Sequence, residues 1–240
     1  MKYMNDEISI LLPVFERNQF LQLFLANVKS QTYDHTKLTV CIDECHSHDR
    51  PFIPNLNYIK QVLHPIKVDH RVYKSRSGIG EKRNRLVKNA TTKYVQFFDS
   101  DDVYFPDAIK YNYNLLKQND VSCVGSDKML FSYVDDDFRL AGIDCGNKIH
   151  QIHEASLFFN RKWFNTTNKF TKRNTGEGKR LFEGINEKHV AISDIKNVMI
   201  CICWSGNTVP KDHFKVETNE QYLSEDIREH LEKYCPFLFL

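Results

Sequence analysis

Residues 7–43 read EISILLPVFERNQFLQLFLANVKSQTYDHTKLTVCID, and the succession of patterns in this stretch decides the fold. Glu7 to Phe15 is a near-continuous apolar run of strand length, the composition of a strand buried on both faces. Arg17 to Ser30 then carries Phe20, Leu21, Phe24, Leu25 and Val28 at the spacing of one helical face. Leu38 to Asp43 (LTVCID) reads as a second strand, and strand, helix, strand implies a right-handed parallel crossover. Ile79 to Ala90 repeats the helical period and feeds a further strand, Tyr94 to Phe98. The alternation over residues 1–110 predicts an α/β protein with an open sheet flanked by helices, in which ligands gather at the carboxyl ends of the strands. Asp43 and Asp99 are each expected to end such a strand.

The remaining bounds are quickly set. With 240 residues, one large domain is expected, and 41% hydrophobic with 12% aromatic residues is too apolar for disorder. A formal charge of +2 carries no general polyanion signal, so no nucleic-acid partner is expected. The stretch MKYMNDEISILLPVF shows no signal-peptide pattern, and no apolar run, the terminal FLFL included, nears the roughly 20 residues of a membrane helix. No integral membrane segment is expected. Seven cysteines, an odd number without framework spacing, predict reduced thiols and a cytoplasmic location. Cys41, Cys45, His46 and His48 could be drawn as a zinc set, but no second ligand pair stands at the usual spacing. Cys41, Cys45, Cys201 and Cys203 therefore read as buried strand thiols.

Further along, VSCVGS, KMLFSYV and FRLAGI are short strand-like runs, with Asp135, Asp136 and Asp137 forming a solvated hairpin turn between the last two. Thr218 with Gln221 resembles a capping box opening a final helix, on which Tyr222, Leu223, Ile227, Leu231 and Tyr234 share a packing face. No internal repeat and no low-complexity linker interrupts the chain.

Three clusters carry possible chemistry. Residues 96–108, QFFDSDDVYFPDA, place Asp99, Asp101 and Asp102 directly after an apolar strand, although close carboxylates repel and are costly to desolvate. In an extended segment Asp99 and Asp101 would face one point, suiting a hard cation such as magnesium or manganese; equally, Asp101 and Asp102 could cap a turn leading into Pro106. Lys74 to Lys93 (KSRSGIGEKRNRLVKNATTK) has seven basic residues and one acid, with Gly78 and Gly80 before the helix. It has neither the lysine and hydroxyl of a P-loop nor the third glycine of a dinucleotide fingerprint. What remains is a helix N-terminus with nearby Arg83 suited to an anion, or a plain basic solvated face. Asn160 to Arg180 holds seven basic residues around one acid, Glu177, flanked by Gly176 and Gly178. That carboxylate could approach a ligand closely, or pair in an exposed loop with Lys179 or Arg180.

Taken in order, ISILLPVFERNQFL, LTVCIDE, SGIGEKRNRLVKNATTKYVQFFDSDDVYFP, HEASLFFNRKWF and TGEGKRLF resemble a family 2 glycosyltransferase of the GT-A type. The resemblance implies a single-domain, Rossmann-like open sheet flanked by helices: residues 1–110 a nucleotide-binding half, 111–215 an acceptor-side half, 216–240 a C-terminal helix and tail. It implies an inverting transfer of a sugar from a nucleoside diphosphate sugar, UDP-linked by analogy, to a glycan, protein or lipid-linked acceptor, assisted by Mn2+ or Mg2+. Carried over residue by residue, Pro13, Phe15 and Glu16 occupy the first nucleotide-contacting turn, Asp43 meets the uracil or ribose, and Arg83 and Ser100 lie on the nucleotide side. Asp99 and Asp101 match the DxD metal motif, and Glu177 the acceptor-side base usually written as Glu-Asp. Here the second position is Gly178, and Trp204 in CICWSGNTVP stands where the family can place a histidine near the donor phosphates. A nucleotidyltransferase would want a glycine-rich, arginine-containing loop where this chain reads LLPVFERN. The alternative within the family is an inactive relative that binds glycan or nucleotide.

Overall fold

The structure is a computed structural model, which describes residues 6–45, 51–146, 148–174, 176–207, 211, 215 and 221–239. Strand β1 (Ile8–Phe15) is buried over almost its whole length and pairs in parallel with β2 (Leu38–Cys45) and β4 (Tyr94–Phe97). Beyond β2 lies β3 (Lys67–Tyr73), also parallel. On the other side of β4 come β9 (Phe158–Asn160), antiparallel to β4, then β6 (Cys123–Gly125) and β10 (Val190–Ile192). The resulting order is β10-β6-β9-β4-β1-β2-β3.

Alternation along the strands explains the layering. Ile8, Ile10, Leu12 and Val14 of β1 join an apolar cluster with α1 (Leu21–Lys29), α2 (Leu56–Leu63) and α4 (Ala108–Gln118) on one face. Leu11, Cys41, Val95 and Phe97 point to the other face, covered by α3 (Ile79–Asn89), α5 (Arg161–Phe164) and Phe170, Leu181 and Phe182. Both faces being covered is what a parallel sheet requires.

A second sheet has the order β12-β8-β7-β11-β5, with β5 (Val103–Tyr104), β7 (Lys128–Tyr133), β8 (Arg139–Asp144), β11 (Met199–Cys203) and β12 (Gln221–Tyr222). Because β5 follows β4 after only five residues, the acidic turn at residues 99–102 is the bridge between the two sheets. The β7–β8 hairpin turns through Val134–Asp136, and its acids make surface ion pairs: Asp135 with Lys215, Asp136 with Arg139, Asp137 with Arg228.

Several expectations need correction. Strand β2 does not end at Asp43 but runs on to Cys45, because Glu44 is fully buried with its own partners: it accepts from the N–H groups of Phe52 (2.6 Å) and Ile53 (3.3 Å) and pairs with His70 (2.7 Å). Asp99 is not the end of β4 either; pairing stops at Phe97. The C-terminal helix α6 (Glu225–Tyr234) opens at Ser224, and Gln221 and Tyr222 precede it as β12, where they pair with Leu140 and Arg139. Thr218 lies outside the described residues, as do His46 and His48 of the zinc set. All seven cysteines are free thiols, six of them buried. No helix among the described residues is long and apolar enough to cross a membrane.

Candidate active site

A cavity of about 620 Å³ opens at the carboxyl ends of β1 and β4 and is walled on its far side by the second sheet. That volume is in the range of small-molecule sites. The turn after β4 supplies its acids, each compensated in a different way. Asp99 receives two hydrogen bonds from the Arg83 guanidinium, at 3.0 and 3.2 Å. Asp101 forms an ion pair with Arg17. Asp102 is buried; its Oδ1 accepts from the Ile202 N–H (3.2 Å) and its backbone carbonyl from Asn27 (2.8 Å). Burial, with Cys201 and Asp101 nearby, pushes the Asp102 carboxyl well above the usual carboxylate range. Asp102 therefore ties the two sheets together, while Asp99 and Asp101 keep 19% and 15% of their side-chain surface and face the cavity with Ser100. The turn is braced by Tyr104, whose hydroxyl accepts the Asp99 N–H (2.8 Å) and whose ring stacks on Phe98.

Arg83 is the centre of the arrangement. It projects from α3 over the rings of Phe97 and Phe170, is 2% exposed, and pairs with Glu177 as well as Asp99. Burial alone would lower its proton affinity, but Asp99 and Glu177 outweigh that and hold it charged. Burial raises the Glu177 carboxyl to about 7, against the pull of Arg83 and with the help of neighbouring Glu154 and Asp99. Next along the wall, His153 is pushed down to about 4 by burial, so it is neutral at neutral pH; its Nδ1 accepts the Ala155 N–H.

The loop bearing Glu177 explains the glycines of SGIG. A Cβ on Gly80 would stand 1.9 Å from the Thr171 carbonyl oxygen and 2.9 Å from the Glu177 Cβ, so only glycine lets this loop close on α3. The first amides of α3 are taken by the same loop: the Ile79 N–H donates to Asn174 (3.3 Å) and the Gly80 N–H to the Arg173 carbonyl (3.5 Å). The helix N-terminus is thus closed by protein, which corrects the expectation of an anion-binding end. The alternative of a plain solvated face does not describe it either, since Lys82 and Arg83 are buried. Glu177 is no exposed partner of Lys179 or Arg180; it is 5% exposed, and Arg180 pairs with Glu183.

Pro13, Phe15 and Glu16 line the cavity, Glu16 in a left-handed turn (φ 53°) and Phe15 beneath the Arg76 guanidinium at 4.4 Å. Asp43 does not line it. Its carboxylate, 2% exposed, takes a fork from Arg85 Nε and Nη2, both at 2.8 Å, and Arg85 Nη1 goes on to Ser77 (2.9 Å), which is a cavity residue. Sequence reasoning missed Arg17, Lys82, Glu154 and Lys211. Arg17 directly follows the β1 turn and could have been found as the cation that Asp101 needs. Lys82, whose ammonium donates to the Val14 carbonyl (2.5 Å), and Lys211, at 2.6 Å from the Cys201 sulfur, gave no local signal. Trp204 lines the cavity with Arg17 above its ring (5.8 Å), and its buried Nε1 has no partner among the described residues.

Among the described residues no three His, Cys, Asp or Glu side chains are grouped to hold a metal by themselves. Asp99 and Asp101, two residues apart, partly exposed and both lining a small-molecule cavity, nonetheless fit magnesium or manganese, which complete their coordination with water and substrate oxygens.

Comparison with known proteins supports the fold. The glucosyltransferase WfgD of Escherichia coli, which uses UDP-Glc on an α-D-GlcNAc-diphosphoundecaprenol, is 24% identical over 115 residues, 48% of this chain and 43% of that protein. Among solved structures, S. aureus TarS residues 1–349 with UDP-GlcNAc superposes with a TM-score of 0.64 at 15% identity, covering 95% of this chain and 65% of that one. The mannosyltransferase PcManGT of Pyrobaculum calidifontis, in complex with GDP-Man and Mn2+, gives 0.59 at 15% identity over 89% and 59%. These likenesses show the GT-A fold. The chain spans less than half the length of the curated relatives it matches. A family model described as Glycosyl transferase family 2 matches residues 9–182, most of the two-faced sheet and the whole Arg83–Asp99–Glu177 cluster, and the chain belongs to that family.

Proposed function

We propose that this protein transfers a sugar from a nucleoside diphosphate sugar, with UDP as the nucleotide, to an acceptor hydroxyl with inversion at the anomeric carbon. One observation carries the reading: Asp99 and Asp101 on one wall and Glu177 on another line the same cavity, with Arg83 between them. WfgD and TarS, both tied to UDP-sugars by name, support the nucleotide, and the manganese of PcManGT supports a cation.

On this reading Asp99 and Asp101 would hold magnesium or manganese, which would supply positive charge to offset that growing on the leaving diphosphate. Phe15 and Arg76 bound the nucleotide end, and Arg17 and Lys211 add positive charge to the lining. Glu177, as carboxylate, takes the proton of the acceptor hydroxyl as it attacks the face opposite the diphosphate. A base held near neutrality loses little proton-transfer driving force and is still ionised often enough to act. The acceptor is a glycan, a protein or a lipid-linked saccharide, bound by the half of the chain after residue 110.

The test is thermal. UDP should raise the melting temperature much more with manganese than with a chelator, and Asp101→Asn should abolish the difference. Equal stabilisation with and without metal would refute the metal assignment. A panel of nucleotide sugars in the same format identifies the donor, and release or transfer of its sugar by the wild type separates an enzyme from an inactive binding relative.

A further inference from the structure

In this chain Gly178 follows Glu177, and its backbone does not call for glycine: unlike Gly176 (φ 60°), it lies outside the left-handed region. What a side chain there would have to displace is Glu154. A Cβ on residue 178 would fall 2.3 Å from Glu154 Oε1, 2.6 Å from its Cγ and 2.8 Å from its Cδ. The same Oε1 accepts the Gly178 N–H at 2.9 Å. The Glu154 carboxylate therefore occupies the space in which a side chain at 178 would begin. It arrives from the 3₁₀ turn Glu154–Ser156, a segment distant in sequence that leads into β9, and it lines the cavity next to Glu177.

We propose that Glu154 is a positioning residue that supplies, from a remote segment, the second carboxylate of the acceptor-side pair, in the place left open by Gly178. Its contact with the Gly178 amide fixes the backbone immediately after Glu177. Its charge also leaves Arg83 facing a third acid besides Asp99 and Glu177, so that Glu177 is not neutralised by the arginine alone. The carboxylate pair is thereby rebuilt with one member transplanted between segments, and glycine at 178 is the condition for it.

The inference rests on Glu177 acting at the acceptor, and a swap tests it. In Glu154→Ala, transfer should fall by at least tenfold while the metal-dependent shift with UDP stays at the wild-type value. Gly178→Asp alone should also lose transfer, because its side chain collides with Glu154. Combining Glu154→Ala with Gly178→Asp should raise transfer at least tenfold above Glu154→Ala, whereas combining it with Gly178→Asn, the same shape without charge, should not. A double variant that only multiplies the two single losses, or an Asn variant that rescues equally, would overturn the proposal. Should Glu154→Ala fail to fold, Glu154→Gln decides: it retains an oxygen for the Gly178 amide, so a tenfold or larger loss of transfer at an unchanged melting temperature supports the role, and a smaller loss refutes it. Glu177→Gln assayed alongside keeps the failures apart, since full transfer in that variant would remove the base assignment whatever Glu154 does.

Discussion

Arg83 and Arg85 lie two residues apart on α3, yet they stand in different electrostatic company. Arg85 meets Asp43 in a two-pronged fork at 2.8 Å, stacks on Tyr73 and, among the described residues, has the more exposed Glu81, at 3.6 Å, as a further acid. The Asp43–Arg85 fork itself is one to one and sits behind the cavity wall. Arg83, inside the wall, is shared by Asp99 and Glu177 with Glu154 beside them, and in the same cavity Arg17 answers Asp101. Asp99, Asp101, Glu154 and Glu177 thus share Arg83 and Arg17 in a cavity that Arg76, Lys82 and Lys211 also line. The comparison explains why an acidic run such as DSDD is tolerable at a strand end: one acid is buried, with its carboxyl pushed well above the usual range, and the other two each face an arginine while keeping part of their surface open to the cavity.

The largest way to break the contrast is at Glu177. Glu177→Gln keeps the shape and a partner for Arg83 but cannot accept a proton, so donor binding should stay near wild type while turnover drops by about 10²- to 10⁴-fold, the usual worth of general acid–base assistance. Transfer rates and the UDP thermal shift on one preparation check both halves. Near-normal turnover would return Glu177 to the status of a structural ion-pair partner, like Asp43.

A smaller effect is expected at the Asp43–Arg85 fork. Asp43→Ala leaves Arg85 without its fork, but that side chain keeps 20% of its surface in water, so the cost should be about 1–3 kcal/mol, short of the loss for a fully buried unpaired charge. For a chain of this size that is a fall of several degrees in melting temperature. Asp43 does not touch the cavity, so UDP binding should weaken only through Ser77, which Arg85 holds. Denaturant midpoints and UDP titrations of Asp43→Ala measure the two effects; a loss of UDP binding larger than tenfold at unchanged stability would mean a direct contact with the nucleotide.

Much of this was legible along the chain, for reasons that particular residues make plain. β1 announces itself as a near-continuous apolar run and α1 and α3 by an unbroken helical period, and Asp99, Asp101 and Glu177 were found because acids stand out against apolar or basic neighbours. β3 was not visible: as an edge strand it exposes Lys67, Arg71 and Val72, so no buried face marks it. The end of β2 was misjudged because Glu44 looks like a surface residue, and only His70 and the Phe52 and Ile53 amides make its burial possible. The SGIG glycines invited a ligand reading, whereas their reason is a loop more than 90 residues away, at Thr171. Glu154 had no local signature at all, since its meaning lies in an empty position on another segment.

The finest test of the contrast is a pH dependence confined to Glu177. Its folded value of about 7 lies above the ordinary 4.5, so its contribution to stability is complete below about 4.5 and is lost as pH rises towards 7, where a buried carboxylate must ionise. Glutamine at 177 does not titrate. The melting temperature of Glu177→Gln relative to wild type should therefore climb between pH 5 and pH 8, by a few degrees if the differential is on the order of 2 kcal/mol. His153, held near 4, titrates in the opposite sense over part of the same interval, but it is present in both proteins and cancels in the difference. In the wild type, transfer should move the other way and rise with pH through about 7, because only the ionised Glu177 takes a proton. A difference in melting temperature that stays flat or falls over this interval would mean that Arg83 neutralises Glu177 as completely as Arg85 neutralises Asp43, and the distinction between the two arginines would collapse.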